Sequence, residues 1–445
     1  MNYLSKTDKH IAKLIEREKK RQESTLMMIP SENTTSSAVE QAVGSCLGNK
    51  YAEGYAHKRY YQGQEIVDEL ETLVIERAKK LFGVEHVNVQ PYSGSPANLA
   101  VLLAILKEGD TLLGLSLASG GHLTHGASVS VTGRLFQSIQ YHVAKNGFID
   151  YEGLERLARE KQPKLIIAGT TAYPRFIDWE RFGKIADEVG AYLLADISHI
   201  SGLIVGGAYP SPVPHAHVLM TTTHKSLRGP RGAMIMVTKK GMEKETNLAK
   251  NIDKMVFPGL QGGPHENSIA GIGVALHEAS SKKFGVYVHQ IVKNAKRLAN
   301  ELTSHGFELT SHGTDSHLIL IDLQNKGLIG NTVAQGCEEV GIVLNRNAVP
   351  FDPNPPFFPS GIRLGTPGVT SRGMGEREMV QIAQALAEVV SALASARENL
   401  GLSRDDERKA EHRAAIIKAA KSDLKTIKKT IDDLTHKFPL RQLYV

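Results

Sequence analysis

The sequence predicts an α/β protein built on a mainly parallel sheet that helices cover on both faces. Short apolar, β-branched runs alternate with longer amphipathic segments from residue 84 to residue 223. Glycine accounts for 41 of the 445 residues, which suits many tight turns between strands and helices. Parallel strands require helical crossovers and bury both of their faces, and this alternation is the pattern expected of them.

Composition limits the classes of protein to which the chain can belong. Its length indicates two domains of unequal size, and its net charge of +6 suits an anionic small molecule as well as a nucleic acid. Two cysteines, Cys46 and Cys337, exclude a disulfide framework and favour a reducing compartment. The N-terminus lacks the apolar core of a signal peptide, and no apolar run approaches the roughly 20 residues that span a bilayer. We therefore expect a cytoplasmic protein with no membrane association.

The first part of the chain, residues 1–30, is predicted to be a helical arm. Residues 8–23 have the charge and spacing of an amphipathic helix that packs on another element, with an inward face assigned to Ile11, Leu14 and Ile15. Residues 30–63 are rich in glycine and tyrosine, and we expect an irregular functional loop there. Residues 65–82 are predicted to form a helix that ends at Gly83. Its inward face is assigned to Ile66, Leu70, Leu73, Val74 and Leu81.

The remaining elements divide into a large domain, residues 31–275, and a smaller one, residues 276–445. Strands of the large domain are predicted at 84–90, 110–116, 164–169, 191–198 and 218–223. Its helices are predicted at 93–109 and 178–189. The smaller domain is predicted to be α/β, with helices at 276–303, 331–340 and 374–397 and strands at 317–323, 341–345 and 361–367.

Residues 404–436 are heavily charged, yet their apolar residues recur on one helical face. That face is assigned to Ile416, Ala420, Leu424, Ile427, Ile431 and Leu434. We predict one or two helices on the surface of the smaller domain. The segment mixes acidic and basic residues and has no aromatic ones, which favours a solvated helix face over a nucleic-acid interface. RNA binding is the alternative, and a salt-dependent shift that is lost on deleting the segment would reveal it.

Lys225 follows a buried apolar strand, and the predicted chemistry is organised around it. Burial of an ammonium group is costly unless its charge is used or removed. His224, Arg228 and Arg231 are cationic or can become so, and like charges together with burial favour the neutral amine. A neutral amine is a nucleophile that forms a Schiff base with a carbonyl compound. A surface lysine in a basic loop is the alternative that this stretch alone leaves open.

Two other predicted strand ends carry polar groups, and ligands of α/β sheets bind at such ends. Ser93, Gly94 and Ser95 precede a helix, so their hydroxyl and N–H groups can bind an anion. Asp196 closes a buried strand and needs a cationic partner, such as a ring nitrogen, that would lower its pKa. An ordinary N-cap and a turn-capping aspartate are the alternatives at these two places.

A lysine, an aspartate and an anion site together are what pyridoxal phosphate requires. Lys225 would hold the aldehyde, Asp196 would keep the pyridine nitrogen protonated, and the helix end would hold the phosphate. The chain has no GxxxxGKS/T loop and no strand-linked GxGxxG, which disfavours a nucleotide site. His122 and His125 have no third metal ligand at a characteristic spacing, so we expect no bound metal.

Ten stretches of the chain resemble the serine hydroxymethyltransferase family, in a consistent order over most of its length. They are SEN (31–33), NKYAEGYAHKRYYQG (49–63), SGSPAN (93–98), GGHLTHG (120–126), DISHISGL (196–203), PVPHAHV (212–218), TTTHKSLRGPRG (221–232), FPGLQGGP (257–264), TDSHL (314–318) and SGIRLGTP (360–367). The resemblance implies a fold type I pyridoxal phosphate enzyme, with a seven-stranded, mainly parallel sheet and a smaller C-terminal domain. It also implies reversible transfer of the serine hydroxymethyl group to tetrahydrofolate, giving glycine and 5,10-methylenetetrahydrofolate.

The resemblance implies roles around the cofactor for each matching residue. Lys225 would be the Schiff-base lysine, Asp196 the partner of the pyridine nitrogen, and His199 a contact to the ring oxygen. His122 would stack on the ring. The remaining cofactor contacts are implied for Ser93, Gly94, Ser95, Thr171 and His224, with Tyr51 and Gly263 reaching in from a second subunit. Catalytic roles are also implied for Glu53 of that second subunit, as the acid–base group, and for Tyr61 and Thr222.

The resemblance also implies contacts to serine and to folate. Arg363, helped by Ser31, would bind the serine carboxylate, because a planar guanidinium can bind a carboxylate through two bonds. Tyr60 and Tyr61 would line the substrate and folate side. Folate contacts are implied for Leu117, Gly121, His122, Leu123 and Asn347. Because members of the family are at least dimeric, we expect a homodimer or a dimer of dimers with shared active sites.

A folate-independent aldolase acting on threonine or a related β-hydroxy amino acid is the alternative within the same fold. It needs the same lysine, aspartate and arginine. Ser119 and Pro355 depart from the family pattern on the folate side, and Pro355 lacks an N–H donor. Stimulation of glycine formation by tetrahydrofolate would distinguish the two activities.

Overall fold

The computed structural model describes residues 3–440, and this part of the chain packs into two compact units. The large unit comprises Asn33–Val292 and Thr314–Ser316, and the described residues of the small unit are 3–32, Lys293–Gly313 and 317–440. Residues 1–2 of the predicted arm and residues 441–445 of the predicted smaller domain lie outside the described residues. Because close packing does not test independent folding, the predicted divisions at residues 30 and 275 stay predictions.

The large unit is built around a sheet of seven strands within the described residues. They are β1 (His86–Asn88), β2 (Thr111–Leu115), β3 (Gln137–Tyr141), β4 (Leu165–Gly169), β5 (Tyr192–Asp196), β6 (Val218–Thr222) and β7 (Ala233–Val237). The order across the sheet is β1-β7-β6-β5-β4-β2-β3. Strand β7 runs antiparallel to both of its neighbours, and the other paired strands are parallel. The prediction of a mainly parallel, seven-stranded sheet is confirmed.

Strands β3 and β7 are missing from the pattern-based prediction, for two different physical reasons. The residues of β3, QSIQY, lie at the edge of the sheet, so most are only partly buried and the apolar pattern is weak. The residues of β7, AMIMV, are fully buried between β1 and β6, but alanine and methionine are good helix formers. In both strands, tertiary pairing overrides local preference.

Helices bury both faces of this sheet. Alternate residues of a strand point to opposite faces, and Leu219 packs in one core whereas Val218 and Met220 pack in another. The helices that lie wholly within the large unit are Ser37–Val43, Glu65–Phe82, Gly94–Ile105, Val131–Leu135, Tyr151–Lys161, Trp179–Glu188, Ser201–Val205, Lys239–Lys244, Leu248–Lys254 and Glu266–Ala279. A further helix, Lys282–Ser304, begins in this unit.

The helix Glu65–Phe82 forms as predicted and ends at a left-handed Gly83, but its predicted inward face is wrong. Ile66 is 67% exposed and Leu73 is also exposed. The buried residues are Val67, Asp68, Glu71, Val74, Ala78 and Phe82. A prediction that places only apolar residues inside cannot identify Asp68 and Glu71 as buried. Acidic side chains are buried only where a charged or hydrogen-bonding partner from elsewhere in the fold contacts them.

Two other segments differ from the predictions. Residues 30–63 are not wholly irregular, since they contain a helix, a 3₁₀ turn and a hairpin of Gly54–Tyr55 with Lys58–Arg59. The predicted helix 276–303 is two helices that are interrupted at Ser280 and Ser281. The hydroxyl groups of these serines donate to the carbonyls of the preceding turn, which competes with continuation of the helix.

The small unit contains a four-stranded antiparallel sheet within the described residues. Its strands are β8 (Glu308–Leu309), β9 (Leu318–Asp322), β10 (Asn345–Asn347) and β11 (Gly361–Gly365), in the order β8-β9-β11-β10. A two-residue parallel pair joins Leu26–Met27 to Ile342–Val343. The main helices are Lys9–Glu23, Gly330–Glu339, Glu376–Asn399, Ala410–Ala419 and Lys421–Lys437.

The two C-terminal helices confirm the periodicity of residues 404–436. All six apolar residues assigned to their inward face are buried in the core of the small unit.

The preceding helix, Glu376–Asn399, is long and apolar enough by length and composition to cross a bilayer, contrary to the expectation that no run approaches that length. Half of its apolar window is buried within the protein, and the core helix of a globular domain meets the same criterion.

The helix of the N-terminal arm, Lys9–Glu23, begins at Asp8, whose carboxylate accepts hydrogen bonds from two backbone N–H groups of the first turn. No residue of this helix is buried. The predicted inward residues Ile11, Leu14 and Ile15 are therefore exposed in the single chain.

Candidate active site

A cavity of about 250 Å³, which we call the Lys225 cavity, lies at the carboxyl ends of β5 and β6, where ligands of α/β sheets bind. It is lined by every residue predicted to bind the cofactor from within the same subunit, and by Thr222: Ser93, Gly94, Ser95, His122, Thr171, Asp196, His199, Thr222, His224 and Lys225. It is also lined by residues that the sequence pattern does not assign to a site: Asn98, Thr170, Ser198, Met220 and Arg231.

Lys225 lies three residues beyond the end of β6. Its Nζ donates a hydrogen bond of 2.8 Å to Oγ1 of Thr222, the last residue of that strand. The backbone carbonyl of Lys225 accepts a hydrogen bond of 3.1 Å from the side chain of Asn33. The amine is thus held at the cavity wall by a group from its own strand.

Asp196, at the end of β5, is 7% exposed and accepts three hydrogen bonds. Its Oδ2 accepts from Nε2 of His125 and from Nδ2 of Asn98, both at 3.0 Å, and its Oδ1 accepts from the backbone N–H of Ser198 at 3.1 Å. Burial by itself raises the pKa of Asp196, but these donors, His125 first, outweigh it and hold the pKa well below the usual range. The carboxylate is therefore ionised at neutral pH.

The sequence pattern did not predict the role of His125. The sequence presents it only as half of a metal pair, whereas the structure makes it a partner of Asp196. The backbone N–H of His122 donates to His125 Nδ1 at 3.3 Å, so the ring proton of a neutral His125 lies on Nε2 and points to the carboxylate. No local signal could have identified this pairing, because it joins residues 71 positions apart in the chain.

The ring of His122 is partly buried beside the cavity. Its Nδ1 accepts a hydrogen bond of 3.2 Å from the backbone N–H of Thr124. Burial lowers the pKa of His122 to about 4, so the ring is neutral at physiological pH. A neutral aromatic ring of this kind can stack on a flat heterocycle.

Another part of the cavity lining suits an anion. The helix Gly94–Ile105 begins there, and the hydroxyl of its N-cap, Ser93, makes no capping bond to the first turn. A Cβ atom at Gly94 would lie 2.7 Å from Cγ2 of Thr222, so the close approach requires glycine. His224 Nδ1 is buried without a hydrogen-bond partner among residues 3–440. Burial, and then the neighbouring cations, lower the pKa of His224 to about 3.

The amino-acid sequence around these site residues matches a known family. A family model described as "Serine hydroxymethyltransferase" matches residues 4–386.

The chain belongs to the serine hydroxymethyltransferase family. It is 57% identical to a serine hydroxymethyltransferase of Acidothermus cellulolyticus over 392 residues, which are 88% of this chain and 90% of that protein. It is 53% identical to the enzyme of that name from Desulfotalea psychrophila over 391 residues, with the same coverage of 88% and 90%. A serine hydroxymethyltransferase of Bartonella henselae is 49% identical over 438 residues, which are 98% of this chain and 95% of that protein.

Membership of the serine hydroxymethyltransferase family establishes the chemistry of this chain. The family interconverts serine and glycine with tetrahydrofolate and depends on pyridoxal phosphate. The lining of the Lys225 cavity fits that cofactor in three respects: an ionised carboxylate, an amine, and a helix N-terminus that suits an anion. Nδ1 of His224, which has no hydrogen-bond partner in the described part of the chain, is a buried polar atom that a bound phosphate group would satisfy.

Two of the predicted cofactor contacts, Tyr51 and Gly263, do not line the cavity of their own chain. They lie together in a second cluster of the large unit, where the hydroxyl of Tyr92 donates to the carbonyl of Gly263 at 2.7 Å. Glu53 approaches Gly262 in this cluster, and Tyr51 is 58% exposed. Tyr51, Glu53 and Gly263 therefore do not line the Lys225 cavity of their own chain.

Tyr60 and Tyr61 are exposed next to this cluster. The rings of Tyr51 and Tyr61 meet edge to face at 5.4 Å, and Tyr60 contacts Phe257 at 5.7 Å in the same way. Leu117 and Leu123, on the two sides of Gly121, are exposed as well. Gly121 itself is buried, and a Cβ atom there would collide with the carbonyl of Leu115.

Three predicted substrate residues belong to the small unit: Arg363, Ser31 and Asn347. Arg363 lies in β11, and its Nε donates a hydrogen bond of 3.1 Å to Oδ1 of Asn345 on the neighbouring strand. Burial lowers the pKa of Arg363 to about 10, which leaves it charged at neutral pH. Packing and strand pairing hold this guanidinium in place.

Proposed function

We propose that this chain transfers the hydroxymethyl group of serine to tetrahydrofolate in the Lys225 cavity, and that two subunits complete each active site. One observation carries the assignment of the site. An ionised Asp196 ends one strand, Lys225 follows the neighbouring parallel strand, and both line one cavity. Pyridoxal phosphate, when bound there, supplies a ring that withdraws electrons from the substrate amino acid.

The residues of the cavity have separable tasks in this proposal. Thr222 accepts a hydrogen bond from the amine of Lys225 and orients it before the cofactor binds. Asp196 Oδ1 accepts one hydrogen bond from Ser198 and would use its other lone pair to hold a proton on the ring nitrogen. His122 would stack on the ring, and His199 would contact the ring oxygen. The phosphate would be bound by the helix end at Ser93, Gly94 and Ser95, with Thr171 and His224.

The serine and folate contacts complete the site. Arg363 would bind the serine carboxylate through two bonds, with Ser31 beside it. Tyr61 and the aliphatic side chains of Leu117 and Leu123 would offer apolar surface to the folate ring. The remaining proposed folate contacts are Tyr60, Gly121, His122 and Asn347.

We assign the proton transfer at the serine hydroxyl to Glu53 of a second subunit. This assignment is supported by the absence of Glu53, Tyr51 and Gly263 from the lining of their own chain's cavity, although they lie close to one another. The exposed apolar residues of the N-terminal arm offer a further surface that a second subunit could cover. We therefore propose a homodimer or a dimer of dimers, and the two free cysteines support a place in the cytoplasm.

Complementation between inactive variants tests the shared site. Glu53→Gln and Lys225→Ala are each expected to lose nearly all folate-dependent transfer, with at most a small residual rate in Glu53→Gln. In a mixed dimer, one site combines an intact Lys225 with an intact Glu53 from the other chain. Random mixing then restores about a quarter of the wild-type activity, because half of the dimers are mixed and each has one intact site. Mixtures that stay inactive after verified subunit exchange would refute the shared site.

Folate dependence tests the reaction itself. Glycine formation from serine is expected to be strongly stimulated by tetrahydrofolate, since the folate accepts the one-carbon unit. The measurement is glycine release with and without tetrahydrofolate, with threonine as the competing substrate. Equal rates with and without folate, together with faster cleavage of threonine, would favour the aldolase instead.

A further inference from the structure

A second group of buried ionisable residues in the large unit has no part in the proposed function so far. Arg59, from the hairpin Gly54–Tyr55 with Lys58–Arg59, has a side chain that is only 3% exposed. Around it lie three acids: Asp68, Glu71 and Glu266. Glu71 and Glu266 are each 1% exposed. We call these four residues the Arg59 cluster.

The guanidinium of Arg59 connects the acids to the backbone around Glu53. Its Nε donates to Oδ1 of Asp68 at 2.8 Å, and its Nη2 lies 3.0 Å from Oε2 of Glu71. Its Nη1 donates to the carbonyls of Ala52 at 2.7 Å and Gly54 at 2.9 Å. These carbonyls belong to the residues immediately before and after Glu53. One buried side chain therefore holds the backbone on both sides of the proposed acid–base residue.

The acids of the cluster outnumber its cation. Glu71 accepts hydrogen bonds of 3.1 Å from Nε2 of Gln90 at both oxygens and also pairs with Arg59, so its surroundings suit a carboxylate. Glu266 lies against Glu71, and neither of its carboxyl oxygens accepts a hydrogen bond from an N–H or hydroxyl group among residues 3–440. Two adjacent buried carboxylates repel each other strongly, and the repulsion is worse when one of them has no hydrogen-bond donor. One proton shared between the two groups removes this repulsion.

We propose that Arg59 is a positioning residue for Glu53, and that one proton held between Glu71 and Glu266 keeps Arg59 bound to the two carbonyls that flank Glu53. The role of Arg59 in catalysis rests on the proposed function of Glu53, but the shared proton does not. When that proton is lost, a second carboxylate beside Glu71 competes for the guanidinium. The segment that carries Glu53 then loses its anchor.

The charged groups that face Glu266 determine the direction of the pH dependence. They are Glu71 and Asp68 on the helix Glu65–Phe82, and Arg59 on the hairpin. Burial, and then the charge of Glu71, raise the pKa of Glu266 to about 9, and burial also raises the pKa of Glu71. His57 adds its backbone N–H, which donates to Asp68 at 2.9 Å, and its exposed ring lies 3.5 Å from the same carboxylate.

Glu40 is the acid of the neighbouring helix Ser37–Val43, which also packs on the helix of Glu266. Its carboxylate accepts a hydrogen bond from the hydroxyl of Thr35, at 3.5 Å. The carboxylate of Glu40 therefore has Thr35 as its hydrogen-bond donor, and Glu40 is not a member of the Arg59 cluster.

Glu266→Gln tests the shared proton without reference to catalysis, because glutamine matches the shape of the neutral acid. The folded-state pKa of about 9 exceeds the ordinary value of 4.5, so the folded enzyme keeps a proton that the unfolded chain releases. The stability of the wild type therefore falls as pH rises through that window. We expect the Tm of the Glu266→Gln holoenzyme, relative to wild type, to increase steadily from about pH 6 to about pH 9.

Glu69→Gln is the matched control, since Glu69 is exposed on the same helix as Glu71. Its Tm should follow that of the wild type at every pH. A constant difference between Glu266→Gln and wild type across the range would overturn the shared proton.

Arg59→Lys tests the positioning role, because an ammonium group cannot reach two carbonyls and two carboxylates at once. We expect kcat of folate-dependent transfer to fall about 10-fold or more, with the KM for serine and the visible absorbance of the cofactor retained. In a Glu53→Gln background, the same substitution should have little further effect on the residual rate, because both changes act through one group. Independent, multiplicative losses would overturn the role of Arg59.

A second readout uses the pH profile of the folding-competent Glu266→Gln enzyme. Its kcat should decline less on the alkaline side than that of the wild type, since no proton can be lost at this position. An unchanged alkaline limb would contradict the proposed link between the cluster and Glu53.

If Glu53→Gln proves fully active, the proposed function of Glu53 fails, while the Tm comparison still decides the shared proton.

Discussion

The Lys225 cavity and the Arg59 cluster both bury carboxyl groups in the large unit, yet they hold them in opposite protonation states. Asp196 accepts three hydrogen bonds, and its pKa lies well below the usual range. Glu266 lies against Glu71, its carboxyl has no N–H or hydroxyl donor within the described part of the chain, and its pKa is raised to about 9. Both groups are almost fully buried. The supply of donors, rather than burial, therefore decides which carboxyl is charged.

The difference also matches what each region has to do. In the Lys225 cavity, a fixed negative charge is needed at the strand end to hold a proton on a bound ring. In the Arg59 cluster, charge balance around one guanidinium keeps a segment of backbone in place. Four substitutions probe this contrast, and their expected effects decrease from Lys225→Ala to Glu266→Gln.

Lys225→Ala should have the largest effect, because it removes the only group proposed to bond the cofactor aldehyde. We expect folate-dependent transfer to become undetectable and the visible absorbance of the lysine-bound cofactor to disappear. The measurement is the absorption spectrum of the purified protein together with a serine-to-glycine assay. Lys239→Ala, at an exposed lysine of the same unit, is the control and should behave as wild type. An unchanged spectrum in Lys225→Ala would refute the assignment of this residue.

Asp196→Asn removes the charge of the carboxylate and keeps its shape, so it tests the ionised half of the comparison. We expect kcat to fall about 100- to 1000-fold, as when a preorganised electrostatic group is removed from an active site. Steady-state kinetics and cofactor titration would measure the change. Asp423→Asn, at an exposed residue of the small unit, should have no effect. A rate within a few-fold of wild type would show that the charge of Asp196 is not needed.

Arg363→Ala extends the comparison to a buried cation in the small unit. We expect the KM for serine to rise about 10- to 100-fold, since charge-assisted hydrogen bonds to a carboxylate contribute roughly 1.5–3 kcal/mol. The cofactor absorbance should persist. Arg346→Ala, at an exposed arginine on the neighbouring strand β10, is the control. A normal KM in Arg363→Ala would exclude the proposed contact to serine.

Glu266→Gln should have the smallest effect at neutral pH, in direct contrast to Asp196→Asn. Both substitutions replace a buried acid by its amide, but only Asp196 is expected to be ionised there. We expect kcat within about two-fold of wild type near pH 7, because the amide reproduces a protonated acid. A loss as large as that of Asp196→Asn would mean that Glu266 is charged in the folded enzyme.

Much of the site could be predicted from local sequence. Lys225, Asp196 and Ser93 can each be identified from their position after an apolar run, because the chain itself encodes where a strand ends and a polar residue follows. The structure brings all three to one cavity. The strands that escaped the pattern, β3 and β7, are those whose burial depends on neighbours rather than on their own residues.

What the chain by itself determined was the alternation of strands and helices and the identity of the polar residues at the strand ends. Only the tertiary structure decided the charge states. It brought His125 and Asn98 to Asp196 across 71 and 98 residues, and it placed Glu71 of one helix against Glu266 of another. The physical reason is that protonation depends on the groups within hydrogen-bond distance in space, whereas local patterns report only on neighbours along the chain.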